Sequence, residues 1–552
     1  MRFSAFLLSS VLVLPLLIPT LAAPAGTPSD LALVNRLSWG ETAEGATLGG
    51  QSARAWLEQQ LHPSRDDGLP QEIQAQIDAM DISHISVEDI AVQARQMQME
   101  IRDAKGGGNA QTQAQDQAQG QGQDQPARDA RKPYRQMLRD LALQAQTRSL
   151  LRDLYSKNQI KEQLTWFWLN HFNVYARKRQ VAALVGDYDE NAIRPHVLGK
   201  FRDLLAATVF HPAMLEYLDN QQNAVGKINE NYAREIMELH TMGVGSGYTQ
   251  QDVQELARIL TGVGINMSGR PRPFARLARA DYRTDVGQGG LFEFIPRRHD
   301  YGDKLFLGQT IKGAGVAEVD QAIELLSRQP ATMHFVSRQL AQYFCCDNPS
   351  DALVEAMAAS WKRSDGDIAQ VLRTLFASAE FTQSLGHKFK DPIHYAVSAV
   401  RASFGNRPIA NALPLIAWLG RMGEPLYGHE TPDGYGLTEA AWSGPGAMTA
   451  RFEVAQAIGN GAPNLFRPVT PEMMAEVRAQ MNANPAEPRP GLAAVMQSGP
   501  RDRTPPPVLQ QTAYYTQLAP SLSQATAATL AKGATQGDRN MLLLSSPEFM
   551  RR

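Results

Sequence analysis

The sequence has few cysteines, little net charge and no long apolar run beyond its first residues. Only two of its 552 residues are cysteines, Cys345 and Cys346, and because they are adjacent the chain has no disulfide framework. Lys and Arg total 54 against 56 Asp and Glu, a formal charge of -2, which provides no overall attraction to nucleic acid or anionic lipid. We therefore expect no nucleic-acid partner.

The apolar run at residues 3–18 is typical of a secretory signal, since a basic residue precedes it and small residues follow it. We expect a signal peptide at 1–23 and an exported protein, periplasmic or extracellular, without a stable membrane span after cleavage. An uncleaved membrane anchor is the alternative. It is disfavoured because the run is short and is interrupted by Pro15 and Pro19.

The two cysteines follow an apolar helical pattern, and we interpret both as packing residues at a helix end. A redox role is the alternative. A disulfide between neighbouring residues is strained, and two thiols cannot by themselves close a tetrahedral zinc site.

Apolar residues recur at helical spacing along most of the chain, which predicts a mainly α fold: a large multi-helix domain with a small β-hairpin insertion. The hairpin strands are expected at 291–295 and 304–307, on either side of a turn. The aromatic-rich segment 159–175 is expected to be a deeply buried helix, and 423–446 is rich in loops and polar residues. The expected organisation is a signal peptide at 1–23, an N-terminal helical region at 24–104, a low-complexity, disordered Gln- and Gly-rich insert at 105–131, a helical core with the candidate site at 132–481, a Pro-rich linker at 482–507 and C-terminal helices at 508–552.

The segment 228–247 carries the densest set of side chains that are capable of catalysis. Asn229 is the expected N-cap of a three-turn helix that Gly243 ends. On one face of this helix, Glu235 and Glu238 could exchange protons with a substrate, while a neighbouring guanidinium keeps one of them ionised.

An internal ion network is the alternative for this face. Glu230, Arg234 and Glu238 are spaced by four residues, and such pairs stabilise a helix by roughly 0.2–0.5 kcal/mol each. His171 likewise has an alternative interpretation, as a satisfied core histidine.

We expect these residues to line a polar cleft. The predicted catalytic residues are Glu235, Glu238 and His240. The predicted substrate-binding residues are Asn170, His171, Arg194, His196, Asn229, Glu230, Asn231 and Arg234. Hydrolysis of a sugar would also need a carboxylate from another segment, because one helix rarely brackets a sugar from both sides; the candidates considered are Asp219, Asp252 and Asp300.

Several chemistries lack their motifs. The chain has neither the His-Glu-x-x-His of zinc proteases nor the paired Glu-x-x-His of di-metal bundles, so we predict no metal ligands in the cleft, and no cofactor is identified. It also lacks a Gly-x-Ser-x-Gly elbow. His299 and Asp300 could form a dyad that orients a general base, but we favour a turn in which Asp300 caps the backbone and His299 faces solvent.

A set of motifs gives the chain a family resemblance. In chain order they are Trp168-Leu169-Asn170-His171-Phe172, Arg194-Pro195-His196, Tyr217-Leu218-Asp219, the block 229–243, Arg298-His299-Asp300 and Ser546-Pro547-Glu548-Phe549. Over residues 31–552 the chain resembles a bacterial exported family of uncharacterised proteins, domain of unknown function 1800. The insert and the Pro-rich segment are not part of that family's pattern.

The resemblance implies an exported, mostly helical protein, often encoded beside a second exported family that looks like sulfatases or phosphatases, so an exported sulfatase-like or phosphatase-like partner is expected. The residues themselves suggest a hydrolase or lyase that acts on a cell-envelope or extracellular polymer through acid/base carboxylates. A non-catalytic assembly or accessory protein, in which the charged cluster is a structural ion network, is the alternative.

Overall fold

The computed structural model describes residues 30–106, 125–268, 290–470, 472–475 and 504–552 and is mainly α, as expected. Its α-helices are α1 (Asp30–Leu37), α2 (Ala53–Leu61), α3 (Gln71–Asp78), α4 (Asp81–His84), α5 (Val87–Gly106), α6 (Gln125–Tyr155), α7 (Gln159–His171), α8 (Val181–Asp187), α9 (Phe201–Val209), α10 (Pro212–Tyr217), α11 (Glu230–Glu235), α12 (Gln250–Ile259), α13 (Ala317–Ser327), α14 (Pro330–Phe344), α15 (Asp351–Ser364), α16 (Ile368–Phe376), α17 (Ala379–Ser384), α18 (Pro392–Phe404), α19 (Leu413–Arg421), α20 (Glu439–Trp442), α21 (Pro445–Gly459), α22 (Ala513–Leu518), α23 (Gln524–Leu530) and α24 (Gln536–Leu544). Turns of π-helix lie at Tyr188–Ile193 and Ile236–Thr241, and turns of 3-10 helix lie at Asn220–Gln222, Pro296–Arg298, Pro463–Leu465, Leu509–Gln511 and Ala519–Ser521.

Some expected segments fall outside the described residues: the signal peptide at 1–23, residues 107–124 of the low-complexity insert, and residues 482–503 of the Pro-rich linker. Helix α6 begins at Gln125, within the range expected for the insert. Among the helices of the described parts, none combines the length and the apolar content that a bilayer crossing needs.

The core is centred on helices that are buried on all sides. In α7 every residue except Lys161 is buried, so the expectation of a deeply buried helix in this aromatic-rich segment is confirmed. A helix that is enclosed in this way needs partners for its polar side chains as well as for its apolar ones. Buried apolar residues from Leu31 to Met550 form one continuous cluster, so the first and last described helices pack on the same core.

Arg36, near the end of α1, ties distant segments together. Its guanidinium is fully buried and donates to the carbonyl oxygens of Phe344 (2.9 Å), Cys345 (2.8 Å) and Arg552 (2.6 Å), and to the hydroxyl of Ser384 (2.8 Å). Burial and, to a smaller extent, the charge of Arg552 together lower the pKa of Arg36 to about 9. The residue therefore depends on these carbonyl oxygens for its solvation.

The strands form two small antiparallel sheets. Strand β1 (Val263–Ile265) pairs with β2 (Phe292–Phe294), and β3 (Lys304–Phe306) pairs with β4 (Gln309–Ile311). A small hairpin is therefore present, but the expected pairing of 291–295 with 304–307 is wrong. The chain reverses at the two residues after β3, where Leu307 and Gly308 have φ of 48° and 75°, as a tight hairpin turn requires.

Candidate functional site

Glu235 and Glu238 lie on a segment that changes its helical winding between them. Helix α11 ends at Glu235, and the π-helical turn Ile236–Thr241 carries Glu238. The expected continuous three-turn α-helix is thus corrected. The Thr241 hydroxyl donates to the carbonyl oxygen of Ile236 at 2.7 Å and so competes with the backbone N–H groups for this acceptor. Turns of π-helix are frequent at functional sites.

Asn229 caps α11, as the sequence predicts. Its Oδ1 accepts from the backbone N–H groups of Asn231 (3.1 Å) and Tyr232 (3.4 Å), and its Nδ2 donates to the carbonyl oxygen of Leu218 at 2.9 Å. Both ends of the amide are therefore used to start the helix and to hold it against the end of α10. Asn231 is exposed on the same turn.

Arg234 lies between two carboxylates on the partly exposed face of α11. Its guanidinium is 3.7 Å from Glu230 and 3.4 Å from Glu238, and it also donates to the Gln250 side chain at 2.8 Å. Gln250 donates in turn to Glu230 at 2.7 Å, which links α11 to α12. Glu238 therefore has a positive neighbour, whereas Glu235 makes no ion pair of this kind among the described residues.

Glu235 is half-buried, and its surroundings favour the protonated form. Burial raises the pKa of the Glu235 carboxyl, and the charges of Glu238 and Asp433 raise it further, while Arg234 acts in the opposite direction. Glu235 thus holds its proton to a higher pH than an ordinary glutamate does.

The loop 427–435, which carries Asp433, is fixed against the end of α7. Asn170 donates to the carbonyl oxygen of Tyr435 at 2.9 Å and accepts from its backbone N–H at 2.6 Å. Asn173 donates to the carbonyl oxygen of Thr431 at 2.8 Å. Asn170 therefore positions the loop rather than facing open solvent.

Tyr217, the last residue of α10, joins this group. Its phenol donates to the carbonyl oxygen of Glu430 at 2.7 Å. Burial raises the pKa of the phenol, and the charge of Glu235 raises it further, so the hydroxyl keeps its proton. The charges of Glu235 and Asp433 both raise the pKa of Tyr217, so α11, the end of α10 and the loop 427–435 form one electrostatically linked group.

Asp433 is the additional carboxylate in this group, and the three aspartates considered from sequence are engaged elsewhere. Their partners are Lys178 at 2.9 Å for Asp219, the Thr249 hydroxyl at 2.7 Å for Asp252, and the Arg258 guanidinium at 2.8 Å for Asp300. Sequence reasoning did not select Asp433 or Tyr217. Two sequence features could have indicated them: Asp433 lies in the polar, loop-rich segment 423–446, and Tyr217 lies in one of the motifs that carry the family resemblance.

Strained backbone lies beside this group of side chains. Arg179, Asp219 and Tyr427 have φ of 48°, 60° and 53°, in the left-handed region that side chains rarely adopt. Such residues persist only where the surrounding structure holds them, and they are concentrated at active sites and ligand clamps. Asp219 follows Tyr217 by two residues and pairs with Arg179 at 2.7 Å, and Tyr427 begins the loop that carries Asp433, which supports a functional role for this region.

Two of the three histidines expected in the cleft, His171 and His240, are buried in the core. His171 Nδ1 is 2.6 Å from the Gln339 side chain and Nε2 is 3.0 Å from the carbonyl oxygen of His240, and burial lowers the pKa of His171 to about 4. Burial also lowers the pKa of His240, whose Nε2 has no hydrogen-bond partner among the described residues. Both imidazoles are therefore neutral.

Arg194 is part of a separate, buried ion network. Its guanidinium contacts Glu162 of α7 at 2.5 Å and Asp67 at 2.8 Å. Burial opposes ionisation of Asp67, but the charge and hydrogen bond of Arg194, together with Lys161 and Asn158, outweigh it and lower the pKa of Asp67 to about 2. Both carboxylates contact the same terminal nitrogen, Nη2, of Arg194, so this arginine is committed to an internal ion network.

His196 faces a different space, a pocket of about 900 Å³ that is also lined by Arg148, Arg152 and Glu190. Burial lowers the pKa of His196. The lining includes neither Glu235 nor Glu238. The residues expected in one cleft therefore lie in three places. Glu235 and Glu238 are at the partly exposed surface, His171 and His240 are in the core, and His196 lines this pocket.

His299 and Asp300 do not form a dyad. His299 is buried, with Nε2 2.9 Å from Glu318 and Nδ1 2.7 Å from the carbonyl oxygen of Thr261. The expectation that His299 faces solvent is wrong, because Glu318 provides a buried carboxylate for it. Asp300 accepts from the Gly302 backbone N–H at 2.9 Å, as a turn-capping residue does.

The family model described as "Protein of unknown function (DUF1800)" matches residues 32–551. The chain belongs to this family. No curated protein and no solved structure matches the chain.

Proposed function

We propose that the protein is a hydrolase or lyase that acts on a polymer of the cell envelope or extracellular space, with Glu235 as the residue that exchanges a proton with the substrate. The observation that carries this proposal is the half-buried Glu235 carboxyl, whose pKa is raised by burial and by the charges of Glu238 and Asp433. A carboxyl that holds its proton to a higher pH than usual is suited to general acid catalysis.

The roles divide between two structural elements. Glu235 donates the proton to the leaving oxygen, and Asp433, from the loop 427–435, is the carboxylate that activates water or accepts the substrate proton. Because the two groups come from separate segments, they can approach a substrate from different directions, which one helix cannot do. The Tyr217 phenol, protonated beside Glu235, supplies a hydrogen-bond donor for the bound substrate.

A polymeric substrate fits the exposure of this region. Asp433 is 60% exposed and Glu238 is 22% exposed, so the group lies at a surface that an extended chain can reach. The apolar run at 3–18 supports export, and with it a substrate outside the cytoplasm.

The experiment is a turnover assay of the purified protein on peptidoglycan and on neutral and acidic envelope polysaccharides. New reducing ends report hydrolysis, and absorbance from an unsaturated sugar reports elimination. We expect Glu235→Gln to reduce turnover by about 100-fold or more, since positioned acid–base groups contribute about 10²–10⁴-fold.

Glu355→Gln is the matched control, because Glu355 is an exposed glutamate on α15 that pairs only with His334 in the described structure. It should turn over substrate like the unsubstituted protein. Wild-type turnover by a folded Glu235→Gln variant, or the absence of turnover on all of these polymers, would contradict the proposed catalytic role.

A second candidate function is a non-catalytic accessory protein for an exported sulfatase-like or phosphatase-like partner. The observation that favours it is the Glu230–Gln250–Arg234 network, which joins α11 to α12 and needs no substrate to explain it. Sedimentation of the protein mixed with the purified neighbouring gene product would show a complex in this case. Equal complex formation by Glu235→Gln, combined with no turnover, would favour this function.

A further inference from the structure

The adjacent cysteines meet a glutamate from another helix. Cys345 and Cys346 follow α14, and Glu380 lies in the first turn of α17. Their Sγ, Sγ and carboxylate oxygen atoms lie within 4.8 Å of one another, and Cys346 Sγ is 3.5 Å from Glu380 Oε1. Within the described part of the chain, this is the one group of three His, Cys, Asp or Glu side chains whose ligand atoms converge in this way.

The carboxylate of Glu380 is held in place by Ser350, the N-cap of α15. The Ser350 backbone N–H donates to Oε1 at 2.9 Å, and the Ser350 hydroxyl donates to Oε2 at 2.5 Å. Such supporting hydrogen bonds orient the carboxylates that bind metals. Glu380 is therefore presented to the thiols in a fixed direction.

The surroundings place a cation beside the two thiols. The Arg36 guanidinium donates to the carbonyl oxygen of Cys345 at 2.8 Å. Cysteine binds metals as the thiolate, and a neighbouring cation stabilises that form. Cys345 is buried, whereas Cys346 and Glu380 are partly exposed, so an ion can enter from their side.

We propose that Cys345, Cys346 and Glu380 bind a thiophilic divalent cation of the zinc class, with the fourth coordination position open to water. Bond lengths of about 2.3 Å to sulfur and 2.0 Å to oxygen place tetrahedral ligand atoms about 3.5–3.8 Å apart, so the observed group, whose atoms lie within 4.8 Å, needs to contract by about 1.3 Å at most. Glu380 supplies the third ligand that two thiols lack.

The charges of the site balance once the ion is bound. Binding releases the thiol protons to solvent and changes no oxidation state, leaving two thiolates and one carboxylate around a doubly charged cation. The remaining single negative charge faces the guanidinium of Arg36, whose charge acts on both cysteines. A buried, uncompensated charge is thereby avoided.

The experiment is a cadmium titration of the full chain after reduction and removal of the reductant. Thiolate-to-cadmium charge transfer in the ultraviolet should rise and saturate at one equivalent of cadmium, and zinc should compete for the site and protect both thiols from a thiol reagent. Glu380→Gln should weaken binding by about 10-fold or more. Cys346→Ser should abolish the two-thiolate signal, whereas Glu355→Gln, a matched change of an exposed glutamate, should leave it intact.

The outcomes are separable. Equal cadmium affinity in folded Glu380→Gln and in the unsubstituted protein would overturn the three-ligand site. Formation of a Cys345–Cys346 disulfide in air, with no metal bound by the reduced protein, would assign a redox role to the pair instead. Cadmium NMR of the unsubstituted protein is independent of any variant's folding, and its chemical shift must report two sulfur ligands and an oxygen ligand.

Discussion

Two arginines of this protein each lie between two acidic side chains, yet they are in opposite environments. Arg194 is 7% exposed, and its partners Glu162 and Asp67 are 3% and 12% exposed, at distances of 2.5 Å and 2.8 Å. Arg234 is 36% exposed and is 3.7 Å and 3.4 Å from Glu230 and Glu238. The same pairing of charges is thus tight and enclosed in one region, and loose and hydrated in the other.

This difference separates structural from functional charge. A buried guanidinium cannot release a carboxylate, because the charge left behind would be unsolvated. An exposed ion pair contributes little to the free energy of unfolding. Arg234 can therefore exchange Glu238 for a substrate group with little loss of stability. The proposed site at α11 and the loop 427–435 is therefore the region where charges can be exchanged, whereas the Arg194 network is part of the core.

The largest expected effect is the loss of a buried partner. Arg194→Met should lower the free energy of unfolding by about 3–5 kcal/mol, because the buried Glu162 would lose its ion-pair partner, whereas Asp67 would keep Lys161 at 3.1 Å. Arg234→Met should lower it by about 1 kcal/mol or less. Urea denaturation of both variants measures the difference, and equal losses would abolish the distinction between the two regions.

The next effect is a pH dependence that arises in the buried region, since His171 lies on the same helix as Glu162. The folded-state pKa of about 4 lies below the ordinary value of 6.5, so the unfolded chain takes up the proton first. The stabilisation is complete above pH 6.5 and falls by about 3 kcal/mol as the pH drops towards 4.

The measurement is the free energy of unfolding between pH 4 and pH 6.5, where the slope should be smaller in His171→Gln than in the unsubstituted protein. His334→Gln is the exposed control. Its partner Glu355 raises the pKa of His334, so that histidine contributes stability at low pH that is lost as the pH rises. Identical slopes in all three proteins would show that His171 is not buried in the neutral form.

A smaller effect is expected at the open site. Glu235→Gln and Glu238→Gln keep the shape of the side chain, and we expect each to change the free energy of unfolding by about 1 kcal/mol or less. Thermal denaturation of the two variants tests this expectation. Clear destabilisation of both would make this region a structural network like that of Arg194 and would exclude the catalytic role.

The smallest expected effect is a shift in the pKa of one side chain, Glu235. Because the charge of Glu238 contributes to the raised pKa of Glu235, Glu238→Gln should shift that pKa downwards. Carbon-detected NMR titration of the Glu235 carboxyl measures it directly. An unchanged or higher pKa would mean that the two carboxylates do not interact.

Local rules account for the parts of the fold that were predicted. The helical spacing of apolar residues identified α7, and the capping amide of Asn229 with the left-handed Gly243 identified the ends of the segment that follows. The strand pairing could not be predicted in the same way. β2 and β3 are close in sequence, but β2 pairs with residues 263–265, and this choice depends on tertiary contacts.

The candidate site shows the same limit. Sequence spacing placed Arg234 and Glu238 together because they are one helical turn apart. It could not show that Asp433 acts on Glu235, because the loop 427–435 is positioned by its tertiary contact with Asn170. The alternative interpretation of His171 as a satisfied core histidine did follow from the apolar pattern of 159–175, and His171 is buried with both ring nitrogens in hydrogen-bond contact.

Arg36 has a consequence for the time course of biosynthesis. Its guanidinium emerges from the ribosome early, but its acceptors at Phe344, Cys345, Ser384 and Arg552 are made hundreds of residues later. At about 5–20 residues per second, translation leaves this cation hydrated for tens of seconds before its last acceptor exists. The complete set of hydrogen bonds to Arg36 therefore cannot form before residue 552 has been synthesised.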